Sequence, residues 1–237
     1  MRKISGAQIL VFAAMLITIL LCGAAATALC AHWLPPSDFR GVVTLLIAVP
    51  IFYLVAFAVY RVFLHAIPLQ EGELIEGSRG EFAAQVNILF YLVFFNSLIR
   101  THALPVPLMR LVYQALGARL GTNTYSAGTL LDPPLTSLGD NCIVGHNAVV
   151  FAHAIEGPHM ALSRVQIGDN VTIGAMAIVM AGVTIDDNAI VSAGAVVRKD
   201  THIGPGEIWG GVPAKRLGHR KDVAATMAMH HETETSP

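Results

Sequence analysis

This sequence has few cysteines, few charged residues and no basic stripe, and each shortage excludes a class of protein. Its three cysteines, Cys22, Cys30 and Cys142, follow neither a disulfide pattern nor zinc spacing. Only 13% of the 237 residues are charged, and the formal net charge is −1. Nucleic acid is therefore not an expected partner. The sequence is instead rich in apolar residues, which make up 54% of the chain.

The excess of apolar residues lies near the N-terminus. Residues 7–31 carry no charge, and neither do residues 41–60. Each stretch is long enough to cross a hydrocarbon layer of roughly 30 Å as a helix, so residues 1–66 predict a transmembrane hairpin. Basic residues precede the hairpin at Arg2 and Lys3, and more follow it. The positive-inside rule then predicts a multi-pass protein of the inner (cytoplasmic) membrane, with the rest of the chain facing the cytoplasm.

Two alternatives stay open in this region. Residues 1–28 are also compatible with a secretory signal peptide, and one remaining span would still deliver the later residues to the cytoplasm. Residues 82–99 are apolar and uncharged but are broken by polar side chains, and the arginines after them oppose a third span. We predict an interfacial or re-entrant helix there, followed by a second short helix at Leu108–Leu116. Both would lie against the bilayer, within a linker at residues 67–117.

From Leu138 to Ala214 the sequence repeats every six residues. The hexads read LGDNCI, VGHNAV and VFAHAI, and then, after an insertion, IGDNVT, IGAMAI, VMAGVT, IDDNAI, VSAGAV, VRKDTH, IGPGEI and WGGVPA. An aliphatic residue opens almost every hexad, and the fifth residue is usually small. This period predicts a repeat in which three hexads form one triangular coil, with the opening side chain inward. Upstream, the opening positions are occupied by Leu120, Ser126 and Asp132, which indicates a first coil whose repeat is degenerate.

The repeat breaks once, between Ile155 and Ile167, where EGPHMALSRVQ is inserted. A loop on a rigid scaffold is where a functional site is expected. His146, His153 and His159 surround this interruption, and His153 lies at its root. Histidine suits general-base work near neutral pH, and a carboxylate beside it could orient the ring. We therefore predict His153 and Glu156 as the catalytic residues.

These repeats resemble the hexapeptide-repeat acyltransferases. IGDNVTIGAMAIVMAGVTIDDNAIVSAGAVVRKD, followed by WGGVPAKR, looks like the C-terminal coils of the sugar, serine and xenobiotic acetyltransferases. The loop at His153 also resembles membrane-tethered members of the family. The resemblance implies a mainly β chain whose residues 118–216 form a left-handed parallel β-helix, assembled as a homotrimer. The hairpin and short interfacial helices would precede this domain, and a flexible tail would follow it at residues 217–237.

The resemblance also implies a reaction. The family's catalytic histidine, which maps onto His153, takes a proton from an acceptor that attacks the thioester of acyl-CoA. This chain would then be a membrane-anchored O- or N-acyltransferase, first of all an acetyltransferase, with acetyl-CoA or another acyl-CoA as donor and no metal. The hairpin suggests a small-molecule or lipid-linked acceptor held at the lipid bilayer: a sugar, a lipid-linked saccharide or a peptide. Asp132 is the candidate substitute for an asparagine that contacts the acceptor in some soluble members.

The family resemblance further implies where the donor binds, in a groove between neighbouring subunits. The backbone of two small corner residues, Ala175 and Ala193, would face the pantetheine arm. Cations are suitable partners for a nucleotide that carries three phosphates. The predicted cationic residues are Arg198, Lys199, Lys215 and Arg216.

Two rival functions stay open. The γ-type carbonic anhydrases use the same coil, and three histidines from two subunits bind their metal, two of them in a G-H-x-x-x-x-H run. Gly145 and His146 begin such a run, but His153 comes two positions too late and His102 lies outside the coils. The second rival is a non-catalytic trimeric membrane scaffold, against which the retained His153 and its loop argue.

Overall fold

The computed structural model describes residues 3–101 and 104–221. The chain divides into two compact units, the first comprising Met1–Gln70 and Ile75–Leu98 and the second comprising Glu71–Leu74 and Ile99–Pro237. The predicted linker at residues 67–117 is shared between the two units, since residues 71–74 and 99–117 cluster with the second. From residue 222 onward, the predicted tail lies outside the described residues.

The first unit is helical. Helix α1 covers Gly6–His32, and α2 covers Arg40–Ala66. Helix α3 covers Arg79–Phe90 and continues through a π-helical segment, Tyr91–Phe95, into α4, Asn96–Arg100. Among the described residues, three helices are long and apolar enough to cross a membrane: Gly6–His32, Arg40–Ala66 and Arg79–Arg100. The two predicted spans are thus helices of suitable length, and the third apolar segment also reaches that length.

The third apolar helix differs from the first two in how much of it is covered. Half of its most apolar stretch is buried, against 17% for α1 and 6% for α2. Within this unit Tyr60 stacks on Phe90, with 5.1 Å between ring centroids, and donates a hydrogen bond to Asn87. Helices α1 and α2 instead leave most of their leucines and valines exposed.

The second unit is a left-handed parallel β-helix with three faces, as predicted. Its first face contains β2 Arg119–Leu120, β5 Thr136–Leu138, β10 Val165–Ile167, β13 Thr184–Ile185 and β16 His202–Ile203. The second contains β3 Tyr125–Ser126, β6 Ile143–Val144, β11 Thr172–Ile173, β14 Ile190–Val191 and β17 Glu207–Gly210, with β18 Lys215–His219 added antiparallel. The third contains β4 Thr129–Leu130, β7 Val149–Val150, β12 Ile178–Val179 and β15 Val196–Val197.

The second unit also contains a small sheet, a helix and a 3-10 turn that lie outside these faces. A small antiparallel sheet contains β1 Gly72–Glu73, β8 His153–Glu156 and β9 His159–Leu162. Helix α5 covers Val106–Leu116, and a 3-10 turn covers Pro133–Leu135. Strand β18 extends past residue 216, where the coil domain was predicted to end.

The hexad positions behave as the period predicts. The aliphatic openers are at most 5% exposed; they are Leu138, Val144, Val150, Ile167, Ile173, Val179, Ile185, Val191, Val197 and Ile203. Small residues at the fifth position, such as Cys142 and Ala177, are buried against the corner. An added Cβ at Gly174 would lie 2.3 Å from the backbone nitrogen of Ala193 in the next coil. Stacked coils therefore leave no room for a side chain there.

The backbone conformation at the corners explains why asparagine recurs in the repeat. Between the first and second faces, one residue in each turn has a left-handed φ, and these are Asn123, Asn141, Asn170, Asn188 and Gly206. Asparagine and glycine adopt this conformation at lower cost than other residues. The corner aspartates add hydrogen bonds between coils, since Asp169 accepts from the Asp140 amide and Asp187 accepts from the Asp169 amide, each at 2.7 Å.

In the first coil, the inward-facing position of the third strand is not the one that the count of hexads predicted. Leu130, and not Asp132, pairs with the inward-facing Val150. The reason is a short corner, with two residues between β3 and β4 where four separate β6 from β7. Asp132 therefore lies beyond the strand, at the following corner. This shift places Asp132 where it can reach His153.

Helix α5 closes the first coil. Its Met109, Val112, Tyr113 and Leu116 are buried, and the Tyr113 hydroxyl donates to the Gly128 carbonyl at 2.8 Å. This helix corresponds to the short helix predicted to lie against the bilayer. Its buried face packs on the coil, because the open end of a β-helix exposes apolar positions that need a cover, and its position against the bilayer stays a prediction.

Candidate active site

The interruption of the repeat forms a β-hairpin that carries His153 at its base. Strands β8 and β9 pair antiparallel, with His153 opposite Leu162, and Gly157 takes a left-handed φ of 62° in the turn. The Ser163 amide donates to the Ala152 carbonyl at 2.8 Å and closes the hairpin where the coil resumes. The side chain of His153 is thus fixed at the corner that follows the third face.

The imidazole of His153 is held by Asp132. Its Nδ1 lies 2.6 Å from Asp132 Oδ2, and the same oxygen accepts the Ala152 amide at 2.8 Å. Asp132 is only 2% exposed. It reaches His153 because the two residues occupy the same corner in successive coils. The sequence pattern predicted only an acceptor contact for Asp132, although stacking one coil on the next would have identified it as a neighbour of His153.

This pairing sets the protonation of the imidazole. Burial lowers the pKa of His153, but the hydrogen bond that its Nδ1 makes to Asp132 and the negative charge of Asp132 raise it, and the net direction is upward. An ionised carboxylate only accepts hydrogen bonds, so the neutral ring carries its proton on Nδ1. Nε2 then has a free lone pair, and the described residues give it no hydrogen-bond partner. The side chain is 27% exposed, so a substrate can approach that nitrogen.

Glu156 does not contact His153, contrary to our prediction. Its carboxylate lies 2.7 Å from Lys199 Nζ, and this hydrogen bond and charge lower the pKa of Glu156. Side chains three residues apart on a strand point to opposite faces, which separates Glu156 from His153. Glu156 and Lys199 instead line a cavity of about 230 Å³ on the other side of the hairpin.

The three histidines around the interruption do not form one cluster. His159 pairs with Glu73, with 2.8 Å between Nδ1 and Oε1. His146 lies at the corner before β7, whereas His153 follows that strand. Within the described residues, no group of three or more His, Cys, Asp or Glu side chains is suited to hold a metal ion.

Ala175 and Ala193 lie at a different corner from His153. Both are exposed, in successive coils between the second and third faces, and the Ala175 carbonyl accepts the Gly194 amide at 2.9 Å. His146 occupies the same row one coil earlier. A single protomer therefore has these residues and His153 on opposite edges of its third face.

The four predicted cations divide into two groups. Lys199 pairs with Glu156, and Arg216 pairs with Glu207 at 2.7 Å. Arg198 and Lys215 are exposed, and neither has an acidic partner within the described residues. The Ala214 amide donates to the Val196 carbonyl at 2.8 Å, which brings Lys215 and Arg198 to the same end of the last coil.

Family models match two stretches of this coil. The bacterial transferase hexapeptide model, of six repeats, matches residues 164–199. The hexapeptide repeat of succinyl-transferase matches residues 136–152. The coil of this chain is thus built from hexapeptide repeats of the kind found in that transferase family. The matches lie on either side of the β8–β9 hairpin, so the family's coil continues through the interruption.

The curated relatives of this chain are named for different activities. The galactoside O-acetyltransferase of Escherichia coli (strain K12) is 32% identical over 122 residues, which cover 47% of this chain and 59% of that protein. The mitochondrial γ carbonic anhydrase 2 of Arabidopsis thaliana is 38% identical over 80 residues, covering 34% and 24%. A galactoside acetyltransferase solved in complex with coenzyme A has a TM-score of 0.46 and 20% identity, covering 70% of this chain and 93% of that one. The chain thus spans less than two thirds of both curated relatives.

Proposed function

We propose that this protein is a CoA-dependent acyltransferase in which His153 acts as the general base. One observation carries the proposal: the buried Asp132 binds Nδ1 of His153 at 2.6 Å and leaves Nε2 available as a base. The raised pKa of His153 favours proton abstraction, because a base is most effective when its pKa lies near the operating pH. The Escherichia coli relative is named as a galactoside O-acetyltransferase, and an acetyl transfer of that kind supports the proposal.

The proposed reaction needs no covalent enzyme intermediate. Nε2 accepts the proton of an acceptor hydroxyl or amine while the acceptor oxygen or nitrogen attacks the thioester carbonyl. The bond between that carbonyl carbon and sulfur then breaks, and the CoA thiolate takes the proton from the imidazolium. Asp132 stabilises the imidazolium formed in between, as a carboxylate beside a catalytic histidine does.

The donor would be acetyl-CoA or a longer acyl-CoA bound between protomers of a homotrimer. Arg198 and Lys215 are the cations best suited to its phosphates, since both lack an acidic partner among the described residues. Lys199 and Arg216 would first have to leave Glu156 and Glu207. Ala175 and Ala193 keep their proposed place beside the pantetheine arm, contributed by a neighbouring protomer because they lie away from His153.

We further propose that α1 and α2 anchor the enzyme in the inner membrane, with the β-helix in the cytoplasm where acyl-CoA is made. Their exposed leucines and valines are suited to lipid contact. The third apolar helix would pack against them, since half of its most apolar stretch is already buried. An anchored enzyme favours an acceptor held at the bilayer, such as a lipid-linked saccharide or peptide.

The acceptor can be tested directly with labelled donor. When the full chain in detergent receives acetyl-CoA labelled in the acetyl group and a bacterial membrane extract, we expect label in the lipid fraction. Organic extraction followed by thin-layer chromatography would measure it, with the His153→Ala variant as the blank. Label confined to water-soluble products would contradict a lipid-linked acceptor and leave a soluble sugar or peptide.

Carbonic anhydrase activity is the alternative that the Arabidopsis similarity raises. In this chain Phe151 occupies the position where that enzyme class has its second histidine, and Asp132 already occupies one nitrogen of His153. Zinc sites need closely defined ligand geometry. We therefore expect the purified protein to contain well under one zinc per chain by elemental analysis. Stoichiometric zinc, with activity lost on chelation, would overturn the transferase proposal.

A further inference from the structure

Four residues between two apolar helices belong to the unit that carries His153. The segment Glu71–Leu74 lies between α2 and α3 in the sequence, yet it clusters with the β-helix and not with the helices. Within it, β1 pairs antiparallel with β9, with Gly72 opposite Leu162 and Glu73 opposite Ala161. The Leu74 amide also donates to the Met160 carbonyl at 2.8 Å. The segment between α2 and α3 therefore adds strand β1 to the β8–β9 hairpin as a third strand.

The register of this strand leads directly to His153. Leu162 pairs with Gly72 on one side and with His153 on the other, so the three residues lie in one row across the sheet. A two-stranded hairpin alone is marginally stable in water, whereas a third strand gives it a defined position. Strand β1 is therefore the third strand that gives the β8–β9 hairpin a defined position.

Two acidic side chains strengthen this pairing, but to different extents. Glu73 and His159 are both about two-thirds exposed, and such pairs contribute little. Glu71 instead accepts two hydrogen bonds from Arg164, from Nε at 3.2 Å and from the backbone amide at 3.3 Å, and it forms an ion pair with Nη2 at 3.1 Å. The side chain of Arg164 is only 27% exposed. Glu71 is therefore the stronger attachment.

We propose that Glu71 and Gly72 are positioning residues for His153. Through β1 they fix β9, and β9 fixes the start of β8, so the imidazole stays on Asp132. The linker between the apolar helices thereby becomes part of the active site. Gly72 has a φ of +102°, and an added Cβ would meet no atom within 4 Å, so a substitution there would strain only the backbone of β1. This inference rests on the proposed role of His153 as general base.

A double-mutant cycle on the full chain tests the inference. We would compare wild type, Glu71→Ala, Arg164→Ala and the double variant, following thiol release from acetyl-CoA with a membrane extract as acceptor. We expect each single variant to lower kcat by about tenfold, since small displacements of a catalytic group are costly. The double variant should cost no more than either single one, because both remove the same contact. The KM for acetyl-CoA should stay within about twofold, as the base and not the donor site is displaced.

Three further variants separate positioning from general damage. Glu71→Gln keeps an acceptor for Arg164 and should recover most of kcat. Gly72→Ala should behave like Glu71→Ala, whereas Gly77→Ala should retain wild-type kcat. Gly77 is the matched control, since it too has a left-handed φ, +76°, and open space for a Cβ, but lies outside β1.

The possible outcomes are distinguishable. Wild-type kcat in Glu71→Ala, alongside an inactive His153→Ala, would overturn the inference and leave the proposed function standing. A fall in kcat that Gly77→Ala shares, or a raised KM for acetyl-CoA, would equally overturn positioning by β1. Thiol release that does not depend on His153 would overturn the proposed function and the inference together.

Discussion

Replacing His153 with alanine should lower kcat for acetyl transfer by about 10²- to 10⁴-fold, the usual contribution of a general base. The KM for acetyl-CoA should change little, because the proposed donor contacts lie at other residues. Thiol release from acetyl-CoA measures the rate, and size-exclusion chromatography checks that the oligomer persists. His153 is partly exposed and outside the apolar core, so the fold should tolerate this change.

The chain offers a matched control for this variant. His202 also pairs with an aspartate, with 2.8 Å between Nε2 and Asp186 Oδ2, but its side chain is 65% exposed on the first face. His202→Ala should keep the wild-type rate. Equal activity in His153→Ala would instead favour the non-catalytic scaffold, or a transferase with another base.

The second large effect is expected at Asp132. In Asp132→Asn the amide can donate a hydrogen bond to Nδ1, which moves the ring proton to Nε2 and removes the base. We expect kcat to fall by about 10²- to 10⁴-fold, as when the carboxylate behind a catalytic histidine is neutralised elsewhere. Without the carboxylate, the pKa of His153 should also fall. The acid limb of kcat/KM against pH, followed on the residual activity, should therefore move to lower pH, because His153 stays neutral to a lower pH.

Asp186→Asn is the control for Asp132→Asn, since it removes the carboxylate from the exposed pair with His202. Its rate and pH profile should match the wild type. An unmoved acid limb in Asp132→Asn would mean that His153 is not the group titrating in the free enzyme. The pH profile thus reports on the dyad itself, which a loss of stability alone would not shift.

Much of the fold could be predicted because its information is local. Each opening residue, such as Val179 or Ile185, is buried by its own place in the hexad, and each corner asparagine meets a backbone need of its own turn. The helices α1 and α2 followed from uninterrupted apolar length. Helix α5 was predicted in the correct stretch, but its sequence does not say that its buried face covers the first coil.

The site was harder to predict because its contacts are distant in sequence. Glu156 was chosen for its nearness to His153 along the chain, and strand alternation turns it away. Asp132 lies 21 residues before His153, and reaches it only because the first coil has a short corner. Glu71 lies 93 residues before Arg164.

By itself the sequence determined the triangular coil, the apolar helices and the histidine at the interruption of the repeat. These depend on periodicity, apolar length and turn conformation, all of which act over a few residues. The tertiary structure alone decided the partner of that histidine, the pairing of the cations and the addition of strand β1 to the hairpin. Stacking of coils and pairing of strands bring together residues whose separation in the chain carries no signal.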